Sequence, residues 1–292
     1  MSSNAERALT VFAAGLAAPE GPTFDREGNL YVVEMAAGRI ARIDLAGKVS
    51  VFAEDGGGPN GMALGPDGAF YICNNGGYPD QAQKPRIEKV SPAGEVSWLV
   101  AEIDGAPVNA VNDITFDRSG SYYCTDPRFP DAGTLSSHIC PPAGVIFGQT
   151  DGTARRLDLD IRFPNGVAIA PDERTLVVAE TQTRQIHAFD IKESGVLGPA
   201  KLYAELPSGM PDGMCFDAEG YLLVCGFGGG AVHVFAPGGG ELVESIAVED
   251  RNVTNICFGG DDLRTLYVTE MSLGRVVTIP WCRPGMQLFP NR

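Results

Sequence analysis

The sequence predicts an all-β chain folded as a six-bladed β-propeller, with four antiparallel strands per blade and the last blade closed by an N-terminal strand. Three observations predict it. A self-similar block recurs six times along the 292 residues. The blocks stand 40 to 53 residues apart, room for four short strands each. No segment sustains the 3.6-residue apolar period that a helical solenoid requires.

The blocks are PEGPTFDREGNLYVVE from Pro19, PNGMALGPDGAFYICN from Pro59, VNDITFDRSGSYYCTD from Val111, PNGVAIAPDERTLVVAE from Pro164, PDGMCFDAEGYLLVC from Pro211 and VTNICFGGDDLRTLYVTE from Val253. Each is a small or apolar run, a tight turn, then an alternating run rich in Tyr, Val and Leu, which reads as an antiparallel hairpin. Two weaker strands follow each hairpin, as in RIARID and VSVFAE. The sixth repeat lacks a fourth strand after GRVVTIP, and LTVFAAGLAAPEG at the start resembles the fourth strands elsewhere. Residues near Leu9 to Ala13 are therefore expected to complete the last blade and remove its open edge. With no linker dividing the chain, residues 1–292 read as one propeller domain.

The balance of 22 Lys plus Arg against 37 Asp plus Glu leaves a net charge of −15. Such a surface repels nucleic acid and anionic lipid, so neither is an expected partner, while a surplus of carboxylates suits a bound cation. The sequence says nothing of protein partners. No apolar run has signal-peptide or membrane-span length, and a cytoplasmic protein is expected. The seven cysteines form no CxxC pair and lie mostly in apolar strand-like runs, as buried reduced thiols do.

The second position of the blocks holds Glu20, Asn60, Asn112, Asn165, Asp212 and Thr254. Where the first strand of each blade lines the channel, these six slots converge at one mouth. All carry oxygen, and none is a thiol or imidazole. Asn-Gly ahead of a strand is common turn chemistry, but Glu20 and Asp212 are not required by a turn. Two carboxylates so close repel unless a cation lies between them, and a hard divalent ion answers that. The second strand returns to the same mouth, adding Glu34, Asn74, Asn75, Asp126, Arg128, Glu180 and Phe227. Turns such as GPDGA and DRSGS fall at the opposite mouth.

PEGPTFD, NDITFD with YYCTDP, FPNGVAIAPD and PDGMCFDAEG resemble the SMP-30/gluconolactonase/LRE (regucalcin-like) family of six-bladed propellers, over nearly the whole chain. The resemblance implies a lactone hydrolase holding one divalent ion on Glu20, Asn165 and Asp212, with Asn112 contacting substrate or the ion through water. Calcium is the first choice, with zinc, manganese and iron also used in the family. Sugar-lactone members carry an Arg two residues before the third-motif Asn; here that place is Ala110. Long loops after YYCTDP and NNGG return to the slot mouth as a lid, made apolar in part by Phe129, Ile139 and Pro141 and carrying His138. Asn60, Asn112, Asp126, Phe129 and His138 are the expected substrate contacts.

Asp212 is the expected general base, since it can hold an ion and still reach a water on the axis; Glu20 reads as a fixed ligand. The expected partner is a small-molecule lactone or ester. The alternatives are another reaction at the same metal site, such as phosphotriester or other ester hydrolysis, and a ligand-binding propeller without catalysis. No GxSxG or HExxH motif is present, and His187 and His233 read as packing residues within strands.

Overall fold

A computed structural model describes residues 8–77, 83–129 and 139–288. Each block opens a blade whose four strands run outward from the axis. Blade 1 comprises Pro19–Phe24, Leu30–Glu34, Arg39–Ile43 and Val49–Glu54. Blade 2 comprises Pro59–Leu64, Phe70–Asn74, Arg86–Val90 and Val96–Val100. Blade 3 uses Ile114–Phe116, Tyr122–Asp126, Pro142–Gly148 and Ala154–Arg162, and blade 4 Pro164–Ile169, Thr175–Glu180, Gln185–Glu193 and Lys201–Glu205. Blade 5 is built from Met210–Phe216, Leu222–Phe227, Ala231–Phe235 and Leu242–Ala247. In blade 6, Val253–Gly259, Thr265–Glu270 and Arg275–Pro280 are joined by Thr10–Ala14 from the other end of the chain. The closing strand pairs Thr10 with Thr278 and Ala14 with Arg275, as the missing fourth strand required. No helix among the described residues is long and apolar enough to cross a membrane.

The core is divided among the blade seams, because each sheet buries both faces against its neighbours. Tyr71, Cys73, Val111, Ile114, Tyr122 and Cys124 fill the seam between blades 2 and 3, with the Tyr71 and Phe116 rings edge to face at 5.0 Å. Leu30, Val32, Cys257, Val276 and Ala13 fill the seam between blades 1 and 6, so the N-terminal strand closes the core as well as the sheet. All seven cysteines are free; Cys73 and Cys124 meet in their seam with sulfurs 3.2 Å apart.

In five blades the pairing of the first two strands slips just past the slot, between Glu20 and Thr23, Pro59 and Met62, Pro164 and Val167, Pro211 and Met214, and Val253 and Ile256. A bulge breaks strict alternation and re-aims side chains. It falls beside the slot residue each time. In blade 3 the regular strand starts only at Ile114, leaving Asn112 and Asp113 ahead of it.

Candidate metal centre at the channel mouth

Glu20 is buried, with Oε2 accepting the Gly21 N–H and, at 2.9 Å, the Asn255 Nδ2–H. Asn165 is buried and hydrogen-bonds Asp212, which also accepts the Gly213 N–H and keeps part of its surface open. Asn112 is buried, and among the described residues its Oδ1 has no hydrogen-bond partner. Asn60 is half-buried. The Thr254 hydroxyl is turned to the blade seam, 2.7 Å from Thr269 Oγ1 and donating to Pro19 O at 3.0 Å.

A third carboxylate stands among them. Asp113 occupies the position after the slot, where four blades have glycine and blade 6 has Asn255. Its oxygens accept the Ile114 N–H at 2.9 Å and the Val167 N–H of the next blade at 3.1 Å. Two of the glycines make room for this pair. A Cβ on Gly61 would lie 2.4 Å from Asp113 Oδ1, and one on Gly213 would lie 2.1 Å from Asn255 Cγ. Asn255 is itself clamped, its N–H on Thr269 Oγ1 and its Oδ1 accepting the Ile256 N–H at 2.8 Å.

With protein alone around them, these carboxyls resist ionising. Burial, then Asp212 and Asp113, push Glu20 well above the usual carboxylate range. Burial and Asp113 do the same to Asp212, opposed by the Asn165 amide and the Gly213 N–H. Burial pushes Asp113 up to about 6 against two backbone donors. Buried like charges and an orphaned amide oxygen are what a divalent ion would satisfy, and the donors are hard oxygens. Among the described residues no three His, Cys, Asp or Glu side chains gather into a metal cluster; the slots offer two carboxylates and complete the set with amides. The chemistry of this donor set fits a single divalent ion.

The other mouth residues have partners of their own. In five blades the last residue of the second strand accepts an N–H from the segment leading to the slot: Glu34 from Ala17, Asn74 from Gly58, Asp126 from Asn109 and Ala110, Glu180 from Arg162, and Glu270 from Asp250. Asp126, expected to touch substrate, also has its second oxygen on Asn109 Nδ2 at 2.7 Å. In blade 5 the residue paired opposite Pro211, as Glu34 is opposite Pro19, is Gly226, and His233 instead meets Ser208 O at 3.0 Å. His187 pairs with Glu180 at 2.7 Å. Phe129 stacks edge to face on Phe163, ring centroids 5.4 Å apart. His138 lies outside the described residues.

A cavity of about 840 Å3 fills the channel on the far side of Asp113 and Asn255, lined by Phe24, Met62, Phe116, Met214, Phe216 and Phe258 and opening at the turn face. Its lining does not include the slot side chains; the loop segments 78–82 and 130–138, read from the sequence as a lid, lie outside the described residues.

Two consequences can be measured. The outer partner of a metal-binding carboxylate typically controls affinity by about 10–100-fold. Asn255→Leu, which keeps volume but drops the Glu20 hydrogen bond, is expected to weaken calcium binding by about that factor in calorimetry; unchanged affinity would make Asn255 a packing residue only. The second concerns Asp55, whose two oxygens are buried and whose carboxyl meets that of the buried Glu88. Burial and the Glu88 carboxylate push Asp55 up to about 8. The unfolded carboxyl titrates near 3.9, so from about pH 4 to about 8 the folded chain holds a proton the unfolded chain lacks, and stability falls as pH rises. Asp55→Asn is expected to flatten this fall and raise stability at pH 8 by about 1–3 kcal/mol, read from denaturation midpoints across pH. A variant no more stable at pH 8 than at pH 5, relative to wild type, would contradict it.

Residues 18–272 match the SMP-30/gluconolactonase/LRE-like family. The diisopropyl-fluorophosphatase of Loligo vulgaris is 28% identical, the alignment covering 92% of this chain and 91% of that protein. The gluconolactonase of Zymomonas mobilis is 28% identical over 89% of this chain and 78% of that protein. Among solved structures, a gluconolactonase of Xanthomonas campestris superposes with a TM-score of 0.79 at 24% identity, covering 96% of this chain and 93% of the other. The family match spans nearly the whole six-bladed ring: the protein belongs to the SMP-30/gluconolactonase/LRE-like family.

Proposed function

We propose that the chain is a metal-dependent hydrolase that opens a lactone ring. The carrying observation is the slot set, in which the Glu20 and Asp212 carboxyls stand close enough to repel and Asn112 Oδ1 has no partner among the described residues. Family membership and relatives named for lactone hydrolysis support the reaction class. Glu20, Asn165 and Asp212 would hold the ion, and calcium is the first expectation from an all-oxygen set; zinc, manganese and ferrous iron also suit three protein ligands with open positions. A divalent ion bound there supplies Lewis acidity, drawing charge from the ring carbonyl.

The chain's own residues do the rest. Glu20 is immobilised through Oε2 by Asn255 and Gly21, which leaves Oε1 to present to the channel mouth. Asp212, the more open carboxylate, takes the proton of the attacking water and returns it to the ring oxygen as the acyl C–O bond breaks. The product is the hydroxy acid, which releases one proton at neutral pH. Asn112 orients the substrate, and Asn60 stands beside it as a further polar contact.

A second reading, phosphotriester hydrolysis at the same site, is favoured by the relative named a diisopropyl-fluorophosphatase. Proton release followed with a pH indicator across sugar, aliphatic and aromatic lactones and one phosphotriester separates the two. Lactone turnover is the expected result. Turnover of the phosphotriester alone would replace the first reading with the second.

A further inference from the structure

The residue two places before each slot forms a rim around the mouth: Ala18, Gly58, Ala110, Phe163, Met210 and Asn252. In four blades its carbonyl accepts an N–H from the residue after the second strand, Met35, Asn75, Thr181 or Met271, at 2.9 to 3.2 Å. The rim positions are therefore held equivalently, and the largest side chain is Phe163. Its backbone is left-handed, φ +57°, a conformation that bulky residues rarely adopt and that glycine adopts without cost. The ring is half-buried and packs on Phe129 from the loop between the second and third strands of blade 3, so an aromatic pair spans blades 3 and 4 two residues from Asn165. Ala18, half-buried, and the exposed Met210 continue the rim as apolar surface, and Ala110 is buried beneath it. The rim's amide, Asn252, donates to Ser272 Oγ at 2.9 Å.

Ala18 at the same place in blade 1 has the same left-handed backbone, φ +55°, so the turn sets the conformation and what distinguishes blade 4 is that a bulky ring is kept there. A polyhydroxylated ring laid against this rim would bury hydroxyls without partners, whereas an aromatic or alkyl substituent would gain contact. We propose that Phe163, backed by Phe129, is the specificity-determining wall, and that the substrate is a lactone carrying an aromatic or alkyl group rather than an aldonolactone. This rests on the lactonase reading.

The test compares kcat/KM for dihydrocoumarin and glucono-δ-lactone in wild type, Phe163→Gly and Phe163→Leu. Wild type is expected to favour dihydrocoumarin by about 10-fold or more. Phe163→Gly relieves the backbone, so Tm should not fall. Its kcat/KM for dihydrocoumarin should drop about 10–50-fold, mainly through KM, while glucono-δ-lactone changes less than about 3-fold. Phe163→Leu should recover part of the loss. An equal drop for both lactones, or a wild type that prefers glucono-δ-lactone, overturns the wall. If wild type opens neither ring, the lactonase reading falls. Calorimetric binding of dihydrocoumarin then decides the wall alone, which stands if Phe163→Gly weakens binding and falls if it does not.

Discussion

Asp212→Asn is expected to lower kcat by about 10³-fold or more while the protein still binds one divalent ion. Asparagine keeps an oxygen at the slot, and three other slots already hold asparagine, so the substitution is one the scaffold accepts. What it removes is the proton acceptor. The hydrogen bond to Asn165 and the Gly213 N–H remain available to position the new amide. Metal content and turnover must be read on the same sample, because loss of the ion would also silence the enzyme. A variant that keeps the ion and loses turnover places the base at Asp212. A fully active variant would require another acceptor, and Asp113 would be the next to examine.

Removing the ion is expected to abolish turnover and to lower Tm. Glu20, Asp212 and Asp113 are buried together, and each carboxylate left without a cation opposes the others' charge. Binding to the folded state alone stabilises by about 2.7 kcal/mol at 100 times Kd, which for a chain of this size is a Tm difference of about 5 °C. Differential scanning fluorimetry with EDTA and stepwise add-back of calcium, zinc, manganese or ferrous iron reads it directly. One ion should restore both Tm and turnover. Equal Tm with and without chelator, in protein verified to be metal-free, would remove the ion from the account.

The blade count and the ring closure were legible because a propeller repeats one hairpin, and a repeat of Pro-Xaa-Gly, turn and alternating run survives substitution at single positions. The slots were legible for the same reason: Glu20 and Asp212 break a pattern that elsewhere reads as a turn. The two residues that brace the site were not found, although their signal was present. Asp113 and Asn255 stand where four blades have glycine, and a side chain there must project into space that a neighbour vacates; Gly61 and Gly213 are those neighbours. Asp126 and Glu34 looked like mouth carboxylates because the second strand does return there. Chain direction does not reveal that backbone N–H groups beside them would claim their oxygens. Phe163 carried no motif at all; its backbone conformation and its contact with Phe129 exist only in three dimensions. The far mouth, read as plain turns, also opens into a cavity of about 840 Å3 whose lining includes Asp113 and Asn255.

The central claim is that the slots hold an ion that serves ring opening. Metal-free protein titrated with calcium, with bound ion and proton release from the preferred lactone followed in the same cell, tests it most directly. The account predicts one ion per chain, with turnover rising in step with occupancy and reaching its plateau at one equivalent. Turnover at full rate before any ion is bound, or a filled site with no turnover of any lactone, would contradict it.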